Sequence, residues 1–276
     1  MDLKDVNMID SFHLETYGQM AVNYNRDLEM FPVVKRILQK ITGTEAEYNS
    51  PTDMGVNRAG FCITDDEVCR EAACQEIIRR YLLARVDFKK GLIGEDCLER
   101  AKLLMDEVGK TVTDRRCVQP ALDYVEFKRS LDPERFQNVV AMAMELPDGA
   151  MITGRSSHLM VAGAALVLNA VRHLCGIPEE MLLISEEVLA TLQHLKTDIL
   201  RREKSTLSLE EVLSALTISA TVNPVAETAV EKLPQLAGCK AHCTAILSDA
   251  DAQIFHDLRI DTTCEAEFST NNLYLG

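Results

Sequence analysis

No apolar run in this chain approaches a membrane span. The longest, Leu159 to Val171, holds Gly163 and Asn169 and falls short of the roughly 20 residues a spanning helix needs. The opening Met1-Asp2-Leu3-Lys4-Asp5 is acidic with no apolar stretch behind it, so no secretory signal is expected. Basic residues are in deficit: 29 Lys and Arg face 43 Asp and Glu, a formal net charge of −14 with pI near 4.9. A nucleic-acid surface needs a basic stripe that displaces counterions. The one dense basic stretch, Lys196 to Lys204, is broken by Asp198 and Glu203. A glycine-rich phosphate loop is also missing. These absences set the expectation of a cytoplasmic protein that touches neither membrane nor nucleic acid.

What is present is core-forming material. The 276 residues are 47% hydrophobic with a mean hydropathy of −0.04, enough for one or two domains with a sizeable core. Nine cysteines, an odd number scattered through helical stretches, are expected to be reduced and mostly buried.

The first 60 residues are irregular apart from a helix over Phe31 to Ile41, with Pro32 in its first turn and Gly43 after its end. Thr64-Asp65-Asp66-Glu67 caps a long amphipathic helix stopped by Gly91. Glu95 to Val108 repeats the pattern, and Asp114 to Ser130 makes a weaker helix that Pro120 must restart or kink. At Asn138 the texture changes. Val139 to Leu146 reads as a buried strand, Pro147-Asp148-Gly149 as a turn and Ala150 to Gly154 as the return strand. Ser156 or Ser157 then caps a small-residue helix to about Cys175. Helices follow at 185 to 200, at 208 to 221 behind the capping box Ser208-Leu209-Glu210-Glu211, and from Asn223-Pro224. His242 to Leu247 is a strand, Asp249 to Leu258 a helix and Ile260 to Cys264 a last strand.

This alternation predicts an α/β fold: an irregular segment and helical subdomain over 1–130, then a three-layer domain with a mixed sheet over 131–276. The hairpin and small-residue helix resemble the opening of the cytidine-deaminase-like fold. Such deaminases hold zinc through a His or Cys two residues before a catalytic Glu, and through Pro-Cys-x-x-Cys. Here the equivalent stretch is Ser157-His158-Leu159-Met160-Val161, without that Glu, and Pro-Cys-x-x-Cys does not occur. Deaminase chemistry is rejected, and the expected outline is zinc-free.

Cys239, His242, Cys243, His256 and Cys264 make the one Cys/His cluster. A strand through His242 sends successive side chains to opposite faces, so small core thiols beside a polar histidine are expected rather than a metal site. Asp65-Asp66-Glu67 and Glu186-Glu187 are read as helix caps rather than acid–base groups. His13, His173 and His194 stand isolated, in packing or surface roles.

The turn-rich stretch Asn49-Ser50-Pro51-Thr52-Asp53-Met54-Gly55-Val56-Asn57 holds a defined backbone path through Pro51, Gly55 and the polar side chains of Asp53 and Asn57. With Asp5-Val6-Asn7-Met8-Ile9-Asp10, Phe12-His13-Leu14 and Val22-Asn23-Tyr24-Asn25-Arg26-Asp27, it resembles the bacterial uncharacterised protein family 0371, which has no assigned activity. Leu195-Lys196-Thr197-Asp198, Thr221-x-Asn223-Pro224-x-Ala226 and Ala241-His242-x-Thr244 extend the resemblance. It departs at Arg201-Arg202-Glu203-Lys204-Ser205-Thr206, where the family shows Gly-Ser-Arg-Asn-Pro-Arg. Full-length members, the resemblance implies, carry a further N-terminal region with a Gly-Pro-Gly-Ser-Gly-Lys run like a nucleotide loop, so this chain is expected to be the C-terminal portion, a fragment or split form.

Two functions follow as expectations. In one, the chain is the C-terminal part of a nucleotide-linked or small-molecule-binding enzyme, with Arg26, Asp27, Asp53, Asn57, Asn223 and His242 lining a ligand cleft. For Arg26 and Asp53 the favoured reading is an internal ion pair that holds irregular backbone. In the other it is a non-catalytic oligomerisation module. The expected partners are a small-molecule or nucleotide ligand and a second copy or an N-terminal partner region. No cofactor is named by these residues.

Overall fold

A computed structural model describes residues 36, 37, 39–41, 43 and 66–269. It divides into two compact units, Met1–Arg115 and Arg116–Gly276.

In the first unit, α1 (Asp66–Lys89) and α2 (Glu95–Glu107) pair through the buried side chains of Ile77, Ile78, Leu82, Leu104 and Met105. Gly91 turns the chain between them at φ +74°, a left-handed conformation that glycine adopts without cost. The Glu76 carboxylate is buried and accepts two bonds from Arg79, at 2.5 and 2.6 Å, and one from Arg80 at 2.8 Å. A buried carboxylate is tolerable only when cations and donors surround it in this way.

The second unit opens with α3 (Val118–Leu131). Pro120 lies in its first turn, where no intrahelical N–H is needed, so the helix starts there instead of kinking. The predicted hairpin forms as β1 (Ala141–Glu145) and β2 (Met151–Arg155), antiparallel in the register Ala141↔Arg155. Next come α4 (Ala162–Cys175), ended by left-handed Gly176, then α5 (Glu186–His194) and a π-helical turn at Leu195–Ile199. The capping box at Ser208 and Glu211 opens α6 (Leu209–Ala220), and Asn223 caps α7 (Pro224–Lys232). The unit closes with β3 (Lys240–Cys243), α8 (Asp249–Asp257) and β4 (Asp261–Cys264).

The sheet order is β2-β1-β3-β4. β1 is antiparallel to both neighbours, whereas β3 and β4 are parallel, joined through α8. The chain is therefore mixed α/β with a four-stranded mixed sheet. Alternation along β1 decides what covers each face. Met142 and Met144 join the main core with Leu166, Val167 and Ala170 of α4, Val212 and Leu216 of α6, and Phe255 of α8. Ala143 packs with Cys117 and Ala121, and Ala141 with Val125, on the α3 side. Helices thus cover β1 on both faces, and all of Ala141–Met144 is buried.

Several boundaries differ from the sequence reading: α3 starts at Val118 rather than Asp114, β1 is shorter than Val139 to Leu146, and β3 ends at Cys243 rather than Leu247. The small-residue helix starts at Ala162, because Ser157 spends its hydroxyl on the N–H groups of Leu159 and Met160 in the preceding loop. β3 starts at Lys240, not His242, because Lys240 pairs in register with Glu145 and Asp261. No described helix is long and apolar enough to cross a membrane.

Candidate functional site

The strand directions gather one edge of the sheet. β3 and β4 end there, β2 ends there and β1 begins there. Arg155 stands opposite Ala141. Thr244 follows β3, its N–H donating to the Ala141 carbonyl at 2.9 Å and its Oγ1 accepting the Ala141 N–H at 3.0 Å. Glu265 follows β4, its N–H donating to the Cys243 carbonyl at 2.8 Å. At about 4.8 Å per strand step, this polar edge is roughly 14 Å long. Ligands of open α/β sheets bind outside the carboxyl ends of strands.

His242 is the chemical centre of this edge. Register places it between Ala143 of β1 and Thr263 of β4, on the α3 side. Its ring is fully buried, with Nδ1 at 2.9 Å from the Thr263 hydroxyl. The Thr263 hydroxyl also lies 3.3 Å from the Ala241 carbonyl, so it stands between that acceptor and the ring. That leaves Nε2 at 3.4 Å from Glu265 Oε1. This contact is of ion-pair length and longer than the hydrogen bond on Nδ1. The Glu265 side chain keeps 13% exposure against none for the histidine, so it is the end of the pair open to exchange. Cys243, one residue on, faces the main core with Met142. There the hydrogen bond with its register neighbour Cys264, together with burial, pushes the Cys243 thiol well up.

Helix starts surround the same edge. α4 follows β2 and α8 follows β3, so both begin on that side of the sheet. α6 is brought to them: Leu207 bridges Met160 just ahead of α4, and the buried Asp251 of α8 accepts the Leu209 N–H at 3.1 Å. Helix N-termini carry partial positive charge and unpaired N–H groups. The loop from the π turn to α6 is fastened by Lys196, whose ammonium donates to the Thr206 carbonyl at 2.6 Å and to Glu211 at 2.7 Å. Burial pushes the Glu211 carboxyl up, but Lys196 and the Ser208 N–H outweigh it and hold the group below the usual range. Between these anchors Arg201, Arg202 and Lys204 are exposed, with Arg201 at φ +52°.

Of the residues singled out by sequence, Arg26, Asp27, Asp53 and Asn57 lie outside the described residues. Asn223 is committed: its carbonyl oxygen accepts the Val225 N–H at 3.0 Å and its amide donates to the Leu182 carbonyl at 3.3 Å. It sits at the start of α7, which packs on α4, across the sheet from the α3 side that holds His242. The structure does not bring Asn223 and His242 into one cleft. Thr263, Glu265 and Arg155 were not legible as site residues, because only the β3–β4 and β1–β2 registers assemble them. His173 pairs with Asp148 at 3.0 Å and His194 with Asp198, both on the surface. Among the described residues no three His, Cys, Asp or Glu side chains converge closely enough to hold a metal ion.

Residues 113–274 match the family described as domain of unknown function DUF1846, C-terminal, and residues 1–109 match its N-terminal counterpart. The chain belongs to this DUF1846/UPF0371 family. Among its relatives, a UPF0371 protein of Clostridioides difficile strain 630 is 52% identical over 275 residues, 99% of this chain and 54% of the relative. One from Clostridium botulinum strain Langeland is 50% identical over 274 residues, again 99% of this chain and 54% of the relative. The chain spans about half the length of the curated relatives it matches. The expectation of a C-terminal portion alone is corrected, since the N-terminal family domain is matched as well.

Proposed function

We propose that this member of the family binds a small anionic molecule along the edge where β3 and β4 end, as the ligand-binding part of a nucleotide-linked or small-molecule enzyme. The observation that carries the reading is the buried His242, held by Thr263 on one nitrogen and facing Glu265 at 3.4 Å on the other. Glu265 stands between that ring and solvent, placed to give or take a proton at a ligand, which is general acid–base work. Arg155 favours negative charge on that ligand. The outline is proposed to be deaminase-like, with proton transfer assigned to His242 and Glu265, because the zinc-binding sequence pattern is missing. For the first unit, separately, Arg26, Asp27, Asp53 and Asn57 are proposed as ligand contacts on their sequence context alone.

The test is a thermal-shift titration with ATP and GTP on the wild type, Glu265→Gln and His242→Gln. A saturable rise in melting temperature that both variants reduce is expected. No rise at millimolar nucleotide contradicts the reading.

A second reading, an assembly module, is favoured by apolar residues that stay exposed on the α6–α7 side. Ile218 is 65% and Val222 86% exposed, one turn apart, beside Leu182 at 53%. A dimer by light scattering supports it; a strict monomer at micromolar concentration removes it.

A further inference from the structure

Three cations converge on one aromatic ring at the Arg155 end of this edge. Phe136 packs against Val125, Val139 and Ala141 beside α3. The guanidinium carbons of Arg135 and Arg155 lie 5.3 and 5.6 Å from its centroid, and the Lys128 ammonium 6.0 Å. Lys128 is also 5.4 Å from the Tyr124 and Phe127 rings. Among the described residues none of the three cations has a carboxylate partner. Arg155 donates to the Ser156 carbonyl at 3.4 Å, and the nearby Asp132 spends an oxygen on the Arg135 backbone N–H at 3.0 Å. In a chain of net charge −14, carboxylates are in excess, yet this cluster has gathered none.

Each cation–ring contact is mildly favourable, whereas three like charges round one ring repel one another. A polyanion settled among them removes the repulsion and gains charge-assisted hydrogen bonds, with Arg135 and Arg155 able to grip it bidentately. We infer that the Lys128–Arg135–Arg155 cluster on Phe136 is a phosphate subsite, and that the ligand of the sheet edge is a phosphorylated small molecule. The inference rests on the edge-binding reading above and supplies its substrate class. A phosphate held at Arg155 leaves the remainder of the edge, roughly 14 Å from β2 to β4, for the body of the molecule, with Glu265 at its far end. The Phe127 ring, 55% exposed beside Lys128, offers a stacking surface if that body is a base.

The experiment is calorimetric titration of the full chain with pyrophosphate, ATP and ribose 5-phosphate at two salt concentrations. The variants are Arg135→Gln, Arg155→Gln and Glu265→Gln, with Lys240→Gln, at the opposite end of the sheet, as the control for net charge, each checked for its melting temperature. All three probes are expected to bind, more weakly at high salt. Arg135→Gln and Arg155→Gln each lose at least about tenfold, and Lys240→Gln loses nothing. ATP binding tighter than pyrophosphate identifies a nucleotide; equal affinity identifies the phosphate as the recognised group; both support the subsite. Failure of all three probes, or undiminished affinity in the two arginine variants, overturns it. If the arginine variants lose binding and Glu265→Gln leaves ATP affinity and heat of proton release unchanged, the subsite stands and the edge-wide reading fails.

Discussion

The Asp251 carboxylate accepts the backbone N–H of Leu209 at 3.1 Å across 42 residues of chain, and its second oxygen accepts the Ser248 hydroxyl at 2.9 Å. One buried side chain thus joins the first turn of α8 to the first turn of α6. Asp251→Ala leaves the buried Leu209 N–H without its acceptor. A loss of about 2 kcal/mol is expected in urea unfolding, the value of a charge-assisted bond to a buried donor. A loss below a few tenths would mean that water replaces the carboxylate and that α6 is not held by this bond.

Two glycines set how closely α4 and α8 approach their neighbours. A Cβ on Gly154 would lie 2.3 Å from the Leu166 nitrogen and 2.6 Å from its Cα. That is backbone against backbone, and β2 and α4 must separate to relieve it. A Cβ on Gly163 meets the Phe255 ring edge at 2.9 Å, a side chain with some freedom to shift. Gly154→Ala is expected to cost about 3 kcal/mol or more and Gly163→Ala about 1 to 2 kcal/mol. Equal unfolding midpoints for the two variants would contradict this order.

Acid sensitivity follows from Glu211. Its carboxyl is held below the ordinary 4.5 in the folded chain, chiefly by Lys196 working against the effect of burial. A depressed folded pKa means that the unfolded chain binds the proton more readily, so stability rises with pH in this window. Its contribution is complete above about pH 4.5 and fades as pH falls through the lower folded value. The gap in urea midpoint between wild type and Glu211→Gln is expected to be flat above that pH and to narrow below it. A gap that widens on acidification would reverse the sign and remove the Lys196–Glu211 account.

Arg201 has φ +52°, in the left-handed region. Glycine is the residue that such a conformation favours. Arg201→Gly is expected to raise stability by up to about 1 kcal/mol, since the relief of strain outweighs the added freedom of the unfolded chain. A destabilised variant would show that the arginine side chain holds the loop.

Much of the fold was legible because its signals are local. Ser208 and Glu211 form the capping box, Gly176 ends α4 in the left-handed conformation, and Gly149 turns the hairpin at φ +82°. The boundaries that slipped were decided by partners distant in sequence. Lys240 is polar, but Glu145 and Asp261 flank it in register, so β3 begins earlier than apolar patterning indicates. Ser157 is a good helix cap by type, and it caps a loop that the Met160–Leu207 bridge holds in place. The candidate site was less legible for the same reason. His242 stood out, but Thr263 lies 21 residues away and no motif links them. Lys128, Arg135 and Arg155 belong to a helix end, a loop and a strand end, and only the fold brings them to Phe136.

The most direct test of a ligand edge built on His242 and Glu265 is a map of backbone amide shifts while pyrophosphate or ATP is added to the isotope-labelled chain. The account predicts saturable shifts at Arg155, Ser156, Thr244 and Glu265, with none at the Asp148–Gly149 turn at the opposite end of β1 and β2. Shifts confined to other parts of the chain, or an unchanged spectrum at millimolar ligand, would contradict it.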